Sequence, residues 1–172
     1  MPSPRTRRAV WATTATTLTC ALALTPLVAH AAIVDEPITH QAEGAALALS
    51  PIGSFETGVF DASAAEIVHA HGDRLFVVNA QAGAVDVLDY SDPNSITKEF
   101  AIEAEGTANS IAIREDGLGI IAFEAPDKTD AGRLVFFDAN AADAASAALG
   151  SVTVGALPDM VSISADGTRA VV

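Results

Sequence analysis

The fold is decided by three stretches of the sequence, EIVHAHGDRLFVVN at residues 66–79, NSIAIREDGLGIIAFE at 109–124 and DMVSISADGTRAVV at 159–172. Each begins with a polar residue and continues as an apolar strand, a turn built on Gly-Asp or Asp-Gly, and a second apolar strand. Asp-Gly between two apolar runs is a strong β-hairpin signal, because both residues tolerate a positive φ. The three stretches are therefore predicted to be copies of one hairpin.

The first two copies continue alike beyond the hairpin. Third strands are predicted at 84–89 and 133–138, each ending on an aspartate, and fourth strands at 97–102 and 150–155. The copies begin 43 and 50 residues apart, and four strands per about 40–50 residues is the period of a β-propeller blade. Tandem hairpins in a β-sandwich are the competing architecture, although a sandwich does not require its units to repeat in sequence. We therefore predict an all-β fold of four-stranded, β-propeller-type repeats.

The number of repeats is small for a propeller. The sequence contains two whole units and half of a third, or about two and a half blades, whereas a closed ring needs at least about four. It also stops inside the second predicted strand of the third unit, which would leave an unpaired edge. We therefore expect residues 45–172 to be a partial β-propeller domain, truncated at the C-terminus, that exposes apolar surface and tends to associate when isolated.

The N-terminus has the three parts of a secretory signal. Arginines at positions 5, 7 and 8 form a basic start, an apolar and threonine-rich run covers 9–28, and the small-x-small triplet AHA follows at 29–31. This order predicts a signal peptide at 1–31 that is cleaved between Ala31 and Ala32. A permanent membrane anchor is the alternative, which the threonines and a proline in the run disfavour.

Removal of this segment makes the chain strongly acidic. It takes three of the nine basic residues and none of the 22 acidic ones, so the formal charge changes from −13 to −16. Such a charge repels phosphate backbones and anionic lipid headgroups, which argues against nucleic-acid or membrane-surface binding. The only cysteine, Cys20, also leaves with this segment, so the mature protein is expected to have no thiol or disulfide. We predict no membrane span in the mature chain, which would begin with a flexible lead-in at 32–44.

Each of the three predicted units begins with a polar residue at the equivalent position, namely Glu66, Asn109 and Asp159. In a propeller the first strand of each blade lines the central channel, so equivalent residues converge near one mouth of that channel. Oxygen ligands around an axis suit a hard cation such as Ca²⁺, or a polar ligand, and no other cofactor is expected. Capping of the local backbone is the alternative role for such residues, and it requires no ligand.

Two further pairs of residues have simpler interpretations. Asn79 and Glu124 both end a predicted second strand, and turn chemistry is the expected role of both. His69 and His71 form an H-x-H pair on one face of a strand, as zinc ligands can. Because the sequence offers no obvious third ligand, we expect both histidines to face solvent beside the turn.

The remaining acidic clusters and the serines do not designate an active site. The clusters at 86–94 and 127–130 lack the spacing of a dedicated calcium loop, and in the first of them Asp86 and Asp89 should point to opposite faces of a strand. The sequence contains no nucleophile elbow, zinc-protease motif or phosphate-binding loop. No pattern supplies a base for any serine, so the sequence indicates no catalytic residue and leaves the question of an enzyme open.

Several strings across the repeats resemble a known family. FETGVF at 55–60, AEIV at 65–68, LFVVNAQ at 75–81, VLDYSD at 87–92 and GSVTVGALPD at 150–159 resemble the choice-of-anchor I proteins. These are secreted or surface-attached bacterial propellers related to the LVIVD and YVTN repeat groups. The resemblance extends from residue 45 to the end, and it implies further blades followed by a C-terminal anchor or an attached domain, sometimes a phosphoesterase.

Two functions of different classes follow from these observations. The first is a secreted or cell-surface module that binds or scaffolds a protein or a surface polymer, with no catalytic activity of its own. The alternative, which only the resemblance implies, is that the chain forms part of an extracellular, metal-dependent phosphoesterase of the alkaline phosphatase-like kind.

Overall fold

The structure is a computed structural model that describes residues 42–47, 51–59 and 65–172. The predicted signal peptide at 1–31, its cleavage site and most of the predicted lead-in lie outside the described residues.

Two four-stranded antiparallel sheets follow one another along the chain, each with its strands in sequence order. The first sheet contains β1 (Ala65–His71), β2 (Arg74–Asn79), β3 (Ala84–Asp89) and β4 (Thr97–Ile102). The second contains β5 (Thr107–Ile113), β6 (Leu118–Glu124), β7 (Ala131–Asp138) and β8 (Ala148–Ala156), with the one-turn helix α1 (Ala144–Ala147) before β8. A third unit begins with the two-stranded pair β9 (Ser162–Ile163) and β10 (Ala170–Val171).

The prediction of an all-β fold with four-stranded repeats is confirmed. The strands of the first sheet lie where the sequence pattern placed them, and the main difference in the second is that β8 is longer than predicted. In the third unit both strands are shorter than predicted, with two residues each. Gly72, Gly117 and Gly167 of the three hairpin turns have φ values of +57°, +95° and +67°, which is the left-handed conformation that the turn signal requires.

The register of the strand pairs shows which residues of the two units are equivalent. Asn79 pairs with Ala65 just before a β-bulge in β1, and in the second unit Phe123 pairs with Ala108 just before a bulge in β5. Phe123 is therefore the counterpart of Asn79. Glu124 lies one residue further along β6, because that strand continues past this point into a longer loop. Both residues therefore end their second strand, as the sequence pattern predicted, but they differ by one residue in register.

Each sheet has two faces, which we name from this equivalence. The front face of the first sheet contains Phe76, Val78, Val85 and Val87, and that of the second contains Ile120, Ala122, Leu134 and Phe136. The back face of the first sheet contains Leu75, Val77, Asp86 and Leu88, and that of the second contains Ile121, Phe123, Val135 and Phe137.

The main core lies between the front face of the first sheet and the back face of the second. Phe76 and Phe137 are completely buried there, with ring centroids 5.5 Å apart and ring planes inclined at 39°. The front face of the second sheet packs in turn against Val161 and Ile163 of the third unit. Every unit thus lays its front face on the back face of the next, in a head-to-tail order.

This order differs from a two-sheet sandwich. In a sandwich one face of each sheet is directed to solvent, whereas β6 is buried on both faces from Gly119 to Glu124. The second sheet is therefore an internal layer between two neighbours, as a repeat unit in a stacked array is.

Two arginines connect consecutive units through polar contacts. Nη1 of Arg74 donates to the carbonyl oxygens of Ala139 at 3.1 Å and Ala141 at 2.6 Å, across the boundary between the first and second units. At the next boundary, Nη1 of Arg114 donates to the carbonyl oxygen of Gly167 at 2.9 Å. Because a guanidinium presents several donors in a fixed plane, both contacts restrict how the units can slide over each other.

Candidate binding site at the first strands

A β-bulge interrupts each of the two complete first strands near its beginning. In β1 the register shifts between Ala65 and Val68, and in β5 it shifts between Ala108 and Ser110. A bulge adds an unpaired residue that re-aims side chains, and bulges occur often beside functional sites. Glu66 lies within the first bulge and Asn109 is the added residue of the second, so the register places these two residues at equivalent positions.

The first strands of consecutive units are neighbours in space. β5 contacts β1 on one side and β9 on the other. Asn109 is half-buried, and its Nδ2 donates to the carbonyl oxygen of Pro158 at 3.1 Å. Pro158 immediately precedes Asp159, so the chain enters the third unit beside Asn109. Glu66 and Asp159 are exposed.

Glu124 supports Asn109 from within the second sheet. Its Oε2 accepts a hydrogen bond from Asn109 Nδ2 at 3.1 Å, and its Oε1 lies 3.3 Å from Nζ of Lys128. The Glu124 carboxylate is buried and has a cationic partner, so it holds the asparagine in place. Because both bonds of Asn109 use its amide nitrogen, a ligand at this position would contact the amide oxygen.

Two structural observations bear on metal binding and on membrane insertion. Among the residues that the structure describes, no three His, Cys, Asp or Glu side chains come together as a possible metal site. Within the same residues, no helix has the length and apolar character that a membrane crossing needs.

Comparison with protein families gives a match along most of the described chain. The family model of the choice-of-anchor I domain matches residues 66–172, which include every strand except the first residue of β1. The chain belongs to the choice-of-anchor I family. This membership indicates a surface-associated protein. No curated protein and no solved structure matches the chain.

The histidine pair of this choice-of-anchor I domain lies at the boundary between the first two units. His69 and His71 are both half-buried, and not solvent-facing as the sequence suggested, and Nε2 of His71 is 3.2 Å from Oδ1 of Asn140. Partial burial lowers the pKa of His69, and the charge of His71 lowers it further. A histidine with a lowered pKa stays neutral at pH 7, so His69 can be half-buried there without a buried charge.

Most members of the two acidic clusters form turns. Oδ1 of Asp89, Asp92 and Asp127 each accepts a hydrogen bond from the backbone nitrogen two residues further on, at 2.9, 2.9 and 3.0 Å. These bonds are the main reason why the pKa values of Asp89 and Asp127 are lowered. The side chains are Asx turns, which need no cation.

Asp86 is the acidic residue whose environment the sequence did not reveal. It lies on the back face of the first sheet, and Asp89 lies on the opposite face, as the strand pattern predicted. Its Oδ2 accepts a hydrogen bond from Asn79 Nδ2 at 2.8 Å, and its Oδ1 lies 2.6 Å from Nζ of Lys98. The signal in the sequence was a charged residue inside the apolar run AVDVLD, but only the structure shows that it is buried.

Proposed function

We propose that this protein is a secreted β-propeller module of the cell surface that binds a protein or a surface polymer and has no catalytic activity of its own. The observation that supports the proposal is the equivalent placement of Glu66 and Asn109 near the start of β1 and β5, with Asp159 on the segment that leads into β9. Glu66 and Asn109 lie in bulges, and Asp159 follows the residue to which Asn109 is bonded.

The head-to-tail packing supports the propeller architecture. Contacts between unlike faces are heterologous, and such contacts produce closed rings when the rotation between units allows it. In a ring of four-stranded sheets the first strands surround the axis. This arrangement would bring the three residues together at one end of a central channel.

The chemistry of these residues determines what the site would bind. Two carboxylates and an amide oxygen are hard oxygen ligands, which suit Ca²⁺ or the hydroxyl and amine groups of a polar ligand. A formal charge of −16, computed without residues 1–31, disfavours anionic partners such as nucleic acid.

The experiment measures co-sedimentation of the purified secreted protein with cell envelopes of the producing cells, with and without added Ca²⁺. The variant Glu66→Gln/Asp159→Asn keeps the shape of both side chains and removes both charges. We expect its affinity to fall on the order of tenfold, because the affinity of such sites depends on the number of charged ligands. The control Glu115→Gln/Asp130→Asn removes two exposed charges elsewhere and should bind like the unsubstituted protein.

Two outcomes would contradict the proposal. An equal loss of binding in both variants would mean that net charge, and no particular site, determines the interaction. If the purified protein shows metal-dependent phosphatase activity and Glu66→Gln/Asp159→Asn abolishes it, the binding module is contradicted. The phosphoesterase is then the better interpretation.

A further inference from the structure

The two complete sheets differ at their outer edges, which their fourth strands form. The outer edge of the first sheet is β4, a strand of six residues that include Lys98 and Glu99, and α1 contacts this strand. The outer edge of the second sheet is β8, a strand of nine residues, ALGSVTVGA at 148–156, and none of them is charged. Charged side chains on an edge strand protect it from pairing with another chain, and β8 lacks this protection.

The far side of β8 is open. β8 is the last strand of its sheet, and within the described residues only β7 pairs with it. Every residue of β8 except Val154 is exposed, with Leu149 at 57% and Val152 at 48%. A Cβ placed on Gly150 or Gly155 would have open space around it, so there is room beside both glycines for a side chain of a neighbouring strand. An edge of this kind presents a row of backbone donors and acceptors to which a further strand can pair.

The geometry of antiparallel pairing restricts how one β8 pairs with another. Along a strand, consecutive residues direct their N–H and C=O groups to alternate sides. Residues that oppose each other across an antiparallel pair direct these groups either both toward each other or both away. In a symmetric pair this condition places the twofold axis at a residue, and only an axis at Val152, the middle of β8, pairs all nine positions.

The amino-acid sequence of β8 fits this register. About Val152 the residues reverse in size and chemistry, so that Leu149 and Val154 each meet a glycine and the two hydroxyl side chains meet each other. The pairs formed with the second copy are Leu149 with Gly155, Gly150 with Val154, Ser151 with Thr153, and Val152 with itself. Serine and threonine that oppose each other across two strands form favourable hydrogen bonds.

The irregular positions of β8 agree with the same axis. The register of β8 with β7 shifts at Leu149 and again at residues 154–155, on either side of a regular run. Pairing about Val152 sets Leu149 opposite Gly155, so that one irregularity faces the other. The regular residues 151–153 then oppose each other without interruption.

We propose that β8 pairs in antiparallel orientation with β8 of a second copy of this chain, about a twofold axis at Val152. The second sheets of the two copies then form one continuous sheet of eight strands. The contact is isologous, so it closes at two copies. It uses an edge of the sheet, and not the faces that join successive units or the residues of the candidate binding site, so it does not depend on the proposed function.

Charge determines how this dimer responds to salt. Each copy has a formal charge of −16, computed without residues 1–31, so two copies repel each other, although the two strands in contact are uncharged. The Debye length falls from about 10 Å at 0.1 M salt to about 3 Å at 1 M, so added salt weakens the repulsion and leaves the contact intact. Dimerisation should therefore become stronger with salt, whereas binding of a basic peptide to the acidic chain would become weaker.

Sedimentation velocity of the purified secreted protein, over a range of protein concentrations, tests the proposal. We expect a monomer–dimer equilibrium whose Kd is lower in about 1 M NaCl than in about 0.1 M NaCl. Val152→Lys places two like charges opposite each other at the axis and should raise Kd on the order of tenfold. The control Met160→Lys makes the same change of charge at an apolar residue that is 57% exposed and lies outside the strands, and it should keep the Kd of the unsubstituted protein.

A mixture of two variants tests the position of the axis. Val152→Lys and Val152→Glu each place like charges at the axis when alone, whereas a mixed pair places opposite charges there. The mixture should therefore form dimers more strongly than either variant by itself.

Cysteine variants test the same register where the charged variants do not fold. Val152→Cys in a Cys20→Ala background should oxidise to a covalent dimer, because opposed residues of an antiparallel pair have Cα atoms about 4.5–5.5 Å apart, which a disulfide can span. Leu149→Cys, at a residue of similar exposure, opposes residue 155 and should form far less of this dimer.

Several outcomes would overturn the proposal. A protein that stays monomeric in both salt concentrations has no such contact. Dimers that Val152→Lys leaves unchanged would form through another surface, such as the strands of the third unit. Equal disulfide formation by Val152→Cys and Leu149→Cys would contradict the axis at Val152. Envelope binding by Glu66→Gln/Asp159→Asn is a separate measurement, so failure of the dimer leaves the binding proposal to its own test.

Discussion

Replacing Phe76 and Phe137 by leucine, singly and together, measures the contact on which the head-to-tail packing rests. Both rings are completely buried, and their centroid separation of 5.5 Å and inclination of 39° lie in the range of favourable aromatic pairs. Each single change should lower the free energy of unfolding by about 1–2 kcal/mol, because it removes buried carbon and leaves a small cavity. The double variant should lose less than the sum, by about 0.5–1.5 kcal/mol, because the aromatic pair can be lost only once.

Urea unfolding of the unsubstituted protein, the two single variants and the double variant gives the coupling energy, and Phe136→Leu supplies the control. Phe136 is adjacent to Phe137 in sequence but lies on the front face of the second sheet, which packs with the third unit. Phe76→Leu and Phe136→Leu should therefore be additive within about 0.3–0.5 kcal/mol. The reasoning would be refuted if Phe76→Leu were coupled to Phe136→Leu and additive with Phe137→Leu. That result would mean that the second sheet packs on the first through its front face.

Two further predictions concern pH and maturation. An NMR titration should give Asp116 a pKa of about 2, mainly because of its side-chain hydrogen bonds with Arg114, and Arg114→Gln should return that pKa toward 3.8. Because the pKa is lowered in the folded state, ionised Asp116 stabilises the fold above about pH 4, and this contribution disappears as the pH falls toward 2. Asp116→Asn should therefore make Tm fall less steeply between pH 4 and pH 2. A fall of Tm as steep as in the unsubstituted protein would count against the ion pair. N-terminal sequencing of the secreted protein should begin at Ala32, whereas retention of residues 1–31 in a membrane fraction would favour the anchor.

The sequence was sufficient to predict the strands because their signals are local. An Asp-Gly turn between two apolar runs depends only on the conformations that these residues allow. The repeat spacing then grouped the strands into units of four. The resulting strand boundaries agree closely with the structure, except at β8 and in the short third unit.

The relation between units could not be predicted in the same way. Asn79 and Glu124 both end a strand in the sequence, but the pairing of Asn79 with Ala65 and of Phe123 with Ala108 shows that they are not equivalent. A shift of one residue along a strand exchanges its two faces. Which face meets the neighbouring unit is therefore a tertiary property, and the half-burial of His69 at that boundary follows from it.

Part of the acidity of the chain is explained by its turns. Within the described part of the chain, seven aspartates accept a hydrogen bond from a backbone nitrogen two or three residues further on, namely Asp89, Asp92, Asp116, Asp127, Asp138, Asp143 and Asp166. A carboxylate that accepts such bonds is stabilised in its charged form, so a high negative charge is compatible with these turns without any bound cation. Acidic composition alone is therefore no argument for a ligand. The candidate site at Glu66, Asn109 and Asp159 is proposed instead from position, since Glu66 and Asn109 lie in equivalent bulges and Asp159 follows the residue that Asn109 contacts.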